Sequence, residues 1–148
     1  MTKLFLKALL VLYLFLGATA WAGGTGTPDE AKAMALRAAA FLKDDGPAKA
    51  FPVFDAPGGP FHDRDLYVMV YDNSGTNVAH GANKALIGKD LIALKDPNGV
   101  FVVRDIVAVQ NQGWVNYMWP DPVTRKLAPK TTYVVRVGNY LVGVGAYK

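Results

Sequence analysis

Cysteine is absent from this chain of 148 residues, and glutamate occurs once, as Glu30. The lack of cysteine excludes disulfides, zinc–thiolate sites and cysteine nucleophiles. A single glutamate leaves no partnered glutamates for acid–base catalysis, and no nucleophile–base pair is visible. The two acidic turns, 72–75 and 96–99, lack the late glutamate of a calcium loop. We therefore expect no enzyme, and no metal or cofactor site.

Histidine is scarce as well, and the chain has only His62 and His80. His62 lies beside Asp63 and Asp65, but no fourth ligand with suitable spacing accompanies them, so a metal site is not predicted. His80 ends a predicted strand and is either a hydrogen-bonded structural residue or a pocket residue. Lysine and arginine are scattered rather than clustered, which excludes a nucleic-acid-binding protein.

Long apolar runs are limited to Ala8–Leu16, which follows two lysines and precedes two Ala-x-Ala sequences. This order predicts a secretory signal peptide over residues 1–22, cleaved after Ala22. A retained membrane anchor is the alternative, although a spanning helix needs roughly 20 apolar residues. Removing the two lysines lowers the net charge from +4 to +2. Residues 23–148 are expected to form one domain in the bacterial periplasm.

A long helix is predicted to begin after Thr27. Thr27 can cap the helix, Pro28 suits the first helical position, and Glu30 completes a capping box. Apolar residues then recur at three- and four-residue spacing and form one stripe over about 17 residues, roughly 25 Å of helix. We expect one further helical turn over Pro47–Phe51 and a loop over Pro52–Pro60.

Strands are predicted at five places, and Asp72–Gly75 is the turn of a hairpin formed by the first two. Between the second and third strands, Lys89–Leu94 is expected to form a short helical turn. Val100–Gln110 fits a helix capped near Asp96–Asn98, with a strand as the alternative. The predicted strands are Leu66–Tyr71, Thr76–His80, Trp114–Trp119, Thr131–Val137 and Leu141–Tyr147.

This order of elements predicts an α+β domain with an antiparallel sheet packed on the long helix. In the first strand, Leu66, Val68 and Val70 point to one face, and the alternate positions point to the other. Both faces are apolar or aromatic, so one can lie on the helix and the other needs a cover. Residues 80–110 are the available cover. A sheet face roofed by loops and a short helix is a natural ligand cavity.

Aromatic residues and one lysine concentrate near the C-terminus, in Gly113–Pro120 and Pro129–Val134. Aromatic walls with one cation are typical of a pocket for a small anion. The alternative is that these aromatic side chains fill the core. Gly143 and Gly145 lie in a predicted strand, where glycine permits close packing or a bend.

A series of short motifs occurs in order along residues 61–147: Leu66–Asp72 with Gly75, Ala79-His80, Leu86–Leu91, Lys95–Gly99, Gly113–Pro120, Pro129–Val134 and Val142–Tyr147. Together they resemble the single Cache domains of bacterial extracytoplasmic sensors. The resemblance implies a PAS-like, five-stranded antiparallel sheet behind a long N-terminal helix. It also implies binding of small organic ligands, often carboxylates or amino-acid-like compounds. Most such domains belong to a chemoreceptor, histidine kinase or cyclase.

The predicted binding site takes its residues from several strands: Tyr67, Met69, His80, Tyr117, Trp119, Lys130 and Tyr133. By this resemblance Lys130 pairs with a ligand carboxylate through a charge-assisted bond, the alternative being a solvated lysine. Met69 would form a deformable wall. Tyr133 lies three residues after Lys130, so in a regular strand the two point to opposite faces. They line one pocket only if Lys130 sits in a turn or a bulge.

Two hypotheses of function follow. The first is a periplasmic domain that binds a small organic carboxylate or amino-acid-like ligand. Because the last predicted strand ends near the C-terminus, we expect such a domain to act with a membrane sensor or chemoreceptor. The second is a structural or interaction protein that binds no ligand. It would dock on a sensor kinase or transporter, or form a homodimer through the helix at Thr27–Leu42.

Overall fold

The computed structural model describes residues 24–148, so the predicted signal peptide, residues 1–22, lies outside the described residues. Among the described residues, no helix combines the length and apolar character needed to cross a membrane. The helices are α1 (Pro28–Asp45), α2 (Pro47–Asp55) and α3 (Val102–Val107), and the strands are β1 (His62–Asp63), β2 (Leu66–Asp72), β3 (Asn77–His80), β4 (Gln112–Pro120), β5 (Leu127–Val137) and β6 (Tyr140–Tyr147).

The predicted start of α1 is confirmed. Thr27 Oγ1 accepts a hydrogen bond from the backbone N–H of Glu30 at 3.2 Å, and Glu30 Oε2 accepts one from the N–H of Thr27 at 2.8 Å. This capping box satisfies two of the N–H groups that a helix start leaves free. Gly46 ends the helix with φ 80°, a conformation that glycine adopts without steric cost.

The second helix is longer than predicted. α2 runs from Pro47 to Asp55 and contains Pro52, where the sequence predicts the start of a loop. Pro52 removes one backbone hydrogen bond from the helix. Phe54, two residues later, is fully buried and packs edge-on against Phe61 at 5.0 Å. Burial of this ring therefore outweighs the local preference of proline for a loop.

The sheet has six antiparallel strands in the order β1-β2-β6-β5-β4, and β3 also pairs with β2. The predicted α+β fold with a PAS-like sheet is confirmed, and β1 is an addition of two residues. β5 begins at Leu127, four residues before the predicted start at Thr131, so Lys130 lies inside the strand rather than at its start. β2 and β3 form the predicted hairpin, whose turn is held by Asp72.

The two faces of the sheet have different covers, as the alternation in β2 predicts. Leu66, Val68 and Val70 pack with α1 and α2 in one apolar cluster. Met69 and Tyr71, on the opposite face, pack with α3 in a second cluster. The sheet is therefore the middle layer of the domain, and the segment after β3 covers its second face.

This covering segment differs from its prediction in detail. Lys89–Leu94 forms no helix; a short 3₁₀ helix covers Lys84–Leu86, and Asp90 pairs instead with Thr76 in an isolated β-bridge. Backbone pairing with the β2–β3 hairpin thus replaces the helical turn. α3 is confirmed but spans only Val102–Val107, and its cap is Phe101 without a side-chain hydrogen bond. The polar group that would cap it, Asp96, instead forms the turn before it.

Candidate functional site

A cavity of about 480 Å³ opens between the second face of the sheet and its covering segment. Three of the seven predicted site residues line it: Tyr67, His80 and Trp119. The remaining wall comes from residues of the loops and of the ends of the strands, among them Asn83, Leu94, Asp96, Val102, Met118, Asp121 and Arg125. The cavity therefore lies where the sequence predicts a ligand site, but loops contribute most of its lining.

Lys130 is buried directly behind this wall, with 1% of its surface exposed. Its Nζ donates a hydrogen bond to Tyr67 Oη at 2.8 Å and lies 4.2 Å from the centroid of the Tyr67 ring. It also lies 4.9 Å from the centroid of the Tyr147 ring. Lys130 is thus no solvated lysine. It does not line the cavity, and Tyr67 stands between the ammonium and the open space.

The hydroxyl groups next to Lys130 form a chain with a fixed direction. Tyr147 Oη donates to the carbonyl oxygen of Pro120 at 2.8 Å. Its hydrogen is then committed, so the contact of 3.3 Å between the two hydroxyls is a donation from Tyr67 to Tyr147. Tyr67 in turn accepts from Lys130. Because its hydrogen is directed to Tyr147, Tyr67 offers the cavity no free hydroxyl hydrogen, and the Lys130 ammonium lies behind it.

Burial lowers the pKa of Lys130 to about 7, and the carboxylates of Asp65 and Asp121 act in the opposite direction. Within residues 24–148, Lys130 forms no salt bridge; the ion pairs are Lys49–Asp45 and those of Arg64 with Glu30 and Asp63. Lys130 is therefore a buried cation without a contacting anion. An anion brought close to it would favour the charged form.

His80 places a second donor at the cavity. Its Nδ1 accepts from the backbone N–H groups of Ala82 and Asn83 at 3.3 and 2.9 Å, so the hydrogen of the neutral ring is on Nε2. Nε2 is buried and lacks a hydrogen-bond partner in the described part of the chain. Burial, assisted by Lys130, lowers the pKa of His80 to about 3. The ring stays neutral and packs 5.0 Å from that of Tyr67.

Met69 and Tyr117 lie one layer behind the cavity. Tyr117 Oη and Thr132 Oγ1 are 2.7 Å apart, and Tyr117 Oη also points at Met69 Sδ at 4.0 Å. Burial raises the pKa of Tyr117. The Tyr117 ring contacts Trp119 edge-on at 5.9 Å, so it supports a side chain that lines the cavity without lining it itself.

Tyr133 lies on the opposite face of the sheet, against α1. Its ring packs 4.9 Å from that of Trp114 and has the Lys32 ammonium 5.1 Å from its centroid. β5 pairs in unbroken register with both neighbours from Lys130 to Val135, so no bulge brings Lys130 and Tyr133 to one face. The structure therefore separates Tyr133 from the other six predicted residues.

Sequence reasoning missed several residues that build the site. Asp96 accepts backbone hydrogen bonds from Asn98, Val100 and Met118, each at 2.9 Å, and ties the covering loop to β4. Its Asp-Pro-Asn-Gly turn was visible in the sequence, but the bond to Met118 was not. Strand alternation could have identified Tyr147, because it shares one face of β6 with Gly143 and Gly145. Arg125 and Asn83 come from loops whose course no sequence pattern indicates.

No metal centre is present in the described range, which contains no group of three potential ligands. His62, the histidine considered for such a site, accepts a backbone hydrogen bond from Gly58 through Nδ1 at 3.1 Å. It therefore stabilises the turn between α2 and β1.

Comparison with known proteins places this architecture among bacterial sensors. The chain is 34% identical over 91 residues to the methyl-accepting chemotaxis protein McpP of Pseudomonas putida, and 32% identical over 88 residues to the sensor histidine kinase MctS of Rhizobium johnstonii. These alignments cover 58% and 57% of the chain but only 17% and 19% of the relatives. The chain thus matches under a fifth of the length of either relative.

Solved structures of chemotaxis and chemosensory proteins are similar to this chain as well. A methyl-accepting chemotaxis protein from Vibrio parahaemolyticus superposes with a TM-score of 0.69 at 26% identity, covering 80% of this chain and 86% of that one. A Cache chemosensory domain described for its carboxylic acid recognition superposes with a TM-score of 0.63 at 24% identity, covering 80% and 86%. The profile of the family described as single Cache domain 2 matches residues 19–148. The chain therefore belongs to the single Cache domain 2 family.

Proposed function

We propose that this protein binds a small organic carboxylate in the cavity beside Lys130 and passes this state to a membrane sensor. The observation that carries the proposal is the buried Lys130 ammonium, which no carboxylate of the described residues contacts. A buried charge is costly unless it is paired. A ligand carboxylate bound against Tyr67, which separates Lys130 from the open cavity, supplies a counter-charge close to the ammonium.

The second donor supports the same class of ligand. His80 Nε2–H is buried at the cavity without a partner, and it carries no competing charge because the ring is neutral. Of the two acidic residues in the wall, Asp96 already accepts three backbone hydrogen bonds, while Asp121 accepts two through Oδ1. The donors therefore favour a carboxylate, and Asp121 is the acceptor that the ammonium of an amino acid would use.

The size and the entrance of the cavity fit a small anion. Its volume of about 480 Å³ is within the usual range of ligand sites. Lys95 and Arg125 line it as well, and cations near an entrance raise the local concentration of anions. Apolar walls from Leu94, Val102 and Trp119 would enclose a short alkyl chain.

The test compares acids with amides of the same shape. The purified protein is titrated with straight-chain carboxylates from acetate to pentanoate and with the corresponding primary amides. At 100 times its dissociation constant, a bound carboxylate should raise the free energy of unfolding by about 2.7 kcal/mol, and the amides should raise it far less. Lys130→Met should remove the effect of the carboxylates.

Lys126→Met is the matched control, because Lys126 is an exposed lysine of the β4–β5 loop. This variant should keep the wild-type affinity. If no acid in the series, and no amino acid added to it, changes stability or gives a heat of binding, the ligand-binding proposal fails. The interaction protein without a ligand is then the better hypothesis.

A periplasmic location and a sensor partner complete the proposal. The relatives include a chemotaxis protein and a sensor kinase, and one similar structure at 26% identity is a periplasmic sensor domain of a chemotaxis protein. The expected cleavage after Ala22 is tested by N-terminal sequencing of protein recovered from the periplasm, which should begin at Gly23. Recovery only in the membrane fraction with an intact N-terminus would support the anchor instead.

We also propose a homodimer through the outer face of α1. Leu36 lies on this face and is 41% exposed, although it is a large apolar side chain. Analytical ultracentrifugation of the wild type and of Leu36→Asp tests the proposal. A dimer that dissociates in the variant supports it, and a wild-type monomer at high concentration rejects it.

A further inference from the structure

Asp65 is buried, and only one of its two carboxylate oxygens forms a hydrogen bond. The residue is 1% exposed, and its Oδ1 accepts a hydrogen bond from the backbone N–H of Gly26 at 2.6 Å. Its Oδ2 is buried and has no hydrogen-bond partner in the described part of the chain. A buried carboxylate oxygen without a hydrogen-bond partner is costly, and a cation nearby reduces that cost.

Asp65 lies near the buried ammonium of Lys130. Asp65 lies in the turn just before β2, two residues before Tyr67, whose hydroxyl binds Lys130 Nζ. The start of β2 runs beside the Tyr147 end of β6, and Tyr147 pairs directly with Lys130 on β5. Asp65 lines a smaller pocket of about 280 Å³ together with Asp121. Asp121 also lines the main cavity, whereas Asp65 does not. Asp65 is therefore near the buried ammonium but outside the space for a ligand.

We infer that Asp65 is the resident counter-charge of Lys130 and sets the affinity of the cavity for carboxylates without touching them. The inference rests on the proposed function of the cavity. Asp65 opposes the effect of burial on the pKa of Lys130, so a fraction of the empty protein carries the ammonium at neutral pH. It acts through Lys130 and is a positioning residue.

The other groups that face Lys130 do not replace Asp65. The tyrosines around it have pKa values raised by burial, so their hydroxyls are neutral below pH 10, and the pKa of His80 is lowered to about 3. The Coulomb effects on Lys130 come from Asp65 first and from Asp121 second. The titratable groups around Lys130 are Asp65 in the turn before β2, Tyr67 on β2, His80 at the end of β3, Tyr117 on β4, Asp121 after β4 and Tyr147 on β6.

The first experiment follows Lys130 itself in the ligand-free protein. Selective ¹³C labelling of lysine allows the Cε resonance of Lys130, identified with Lys130→Met, to be titrated by NMR. Asp65→Asn should lower the midpoint by on the order of one pH unit, because one nearby opposite charge is lost. Asp63→Asn is the matched control, since it removes the same charge from an exposed residue at the end of β1, two positions before Asp65. An equal midpoint in the Asp65 variant and the wild type overturns the inference.

The second experiment measures carboxylate affinity against pH with the tightest member of the acetate-to-pentanoate series. At pH 8 Asp65→Asn should bind about tenfold more weakly than wild type, if the midpoint falls by one unit. At pH 5.5, where Lys130 is protonated in both, the affinities should agree or favour the variant. Asp65→Glu, which keeps the charge, should restore the wild-type profile. An equal loss at both pH values indicates a structural role and overturns the inference.

The two proposals fail separately. If the wild type binds no carboxylate, the proposed function fails, and the Lys130 titration still tests Asp65. If the wild type binds and Asp65→Asn leaves the pH profile unchanged, only the inference about Asp65 fails.

Should Asp65→Asn not fold, Asp121→Asn serves as a second variant. It should lower the Lys130 midpoint by less than the shift, on the order of one pH unit, expected from the loss of Asp65, and a shift of that full size would overturn the ranking of Asp65 over Asp121.

Discussion

Lys130 on β5 reaches Tyr67 on β2 although β6 lies between these strands. The lysine stem crosses β6 at Gly145, where an added Cβ would overlap Lys130 Cε and Thr132 Oγ1. Glycine at this position is therefore what allows a buried cation to lie beside a residue that lines the cavity. The strand tolerates it because both neighbouring strands pair with β6 through the backbone.

Gly145→Ala should consequently displace the Lys130 ammonium from Tyr67. We expect carboxylate affinity to fall at least tenfold, which corresponds to a loss of about 1.4 kcal/mol in the interaction. Overpacking should also cost about 1–3 kcal/mol of folding free energy. Calorimetric titration and urea unfolding measure the two effects.

Gly143→Ala provides the comparison on the same face of the same strand. Its added Cβ would meet Thr132 Cγ2 at 3.1 Å and Met69 Cε at 3.5 Å, but not Lys130. This variant should lose some stability and keep its affinity. Equal affinity losses in the two variants would show that packing of β6, rather than the path of Lys130, controls binding.

Stability of the ligand-free protein should rise with pH between about 7 and 10. Lys130 has a pKa of about 7 in the fold and 10.5 as its ordinary value, so in this window the unfolded chain binds a proton that the folded chain has released. The free energy of unfolding then increases with pH, by up to about 1.4 kcal/mol per unit. Above pH 10 the unfolded tyrosines ionise before the buried ones, which reverses the trend.

Urea unfolding at several pH values checks this expectation. Lys130→Met should remove the rise between pH 7 and 10, while Lys126→Met should retain it. A wild-type stability that falls or stays level over this range would mean that Lys130 remains charged in the empty cavity. The carboxylates of Asp65 and Asp121 would then offset most of the effect of burial on the pKa of Lys130.

The wall formed by the covering loop should depend on Asp96. Asp96→Ala removes the acceptor for the N–H groups of Asn98, Val100 and Met118, so the loop loses its tie to β4. We expect lower thermal stability, weaker carboxylate binding and faster amide exchange at Met118. Asp90→Ala is the matched control, because Asp90 Oδ1 accepts one local hydrogen bond, from Ile92. Equal effects of the two substitutions would contradict a special role for Asp96.

The fold was largely predictable because its signals are local or periodic. The Thr27–Glu30 capping box and the alternation along β2 depend on residues close in sequence, and both are confirmed. The errors occur where distant contacts override local preference. Pro52 is helical because Phe54 is buried, and Lys89–Leu94 pairs with the β2–β3 hairpin instead of forming a helical turn.

The binding site was less predictable, because its walls come from loops. Strand alternation indicates correctly which residues share a face, and it already separated Tyr133 from Lys130. It does not indicate how far along the strand the cavity lies, so Met69 and Tyr117 could not be distinguished from Tyr67 and Trp119. The buried hydrogen-bond chain through Tyr147 needs coordinates, since its members are up to 80 residues apart.

Because Trp119 and Tyr133 lie on opposite faces of the sheet, these two residues of the predicted site should differ in their effect on carboxylate affinity. Trp119→Leu should weaken carboxylate binding, because Trp119 lines the cavity and rests on Tyr117. Tyr133→Leu should leave affinity within about twofold of wild type while lowering stability by about 1–3 kcal/mol, since its ring lies in the core against α1. Parallel calorimetric titrations and urea unfolding of both variants test this. Loss of affinity in the Tyr133 variant, at a temperature where it is fully folded, would mean that the ligand site extends through the sheet or lies on its helical face.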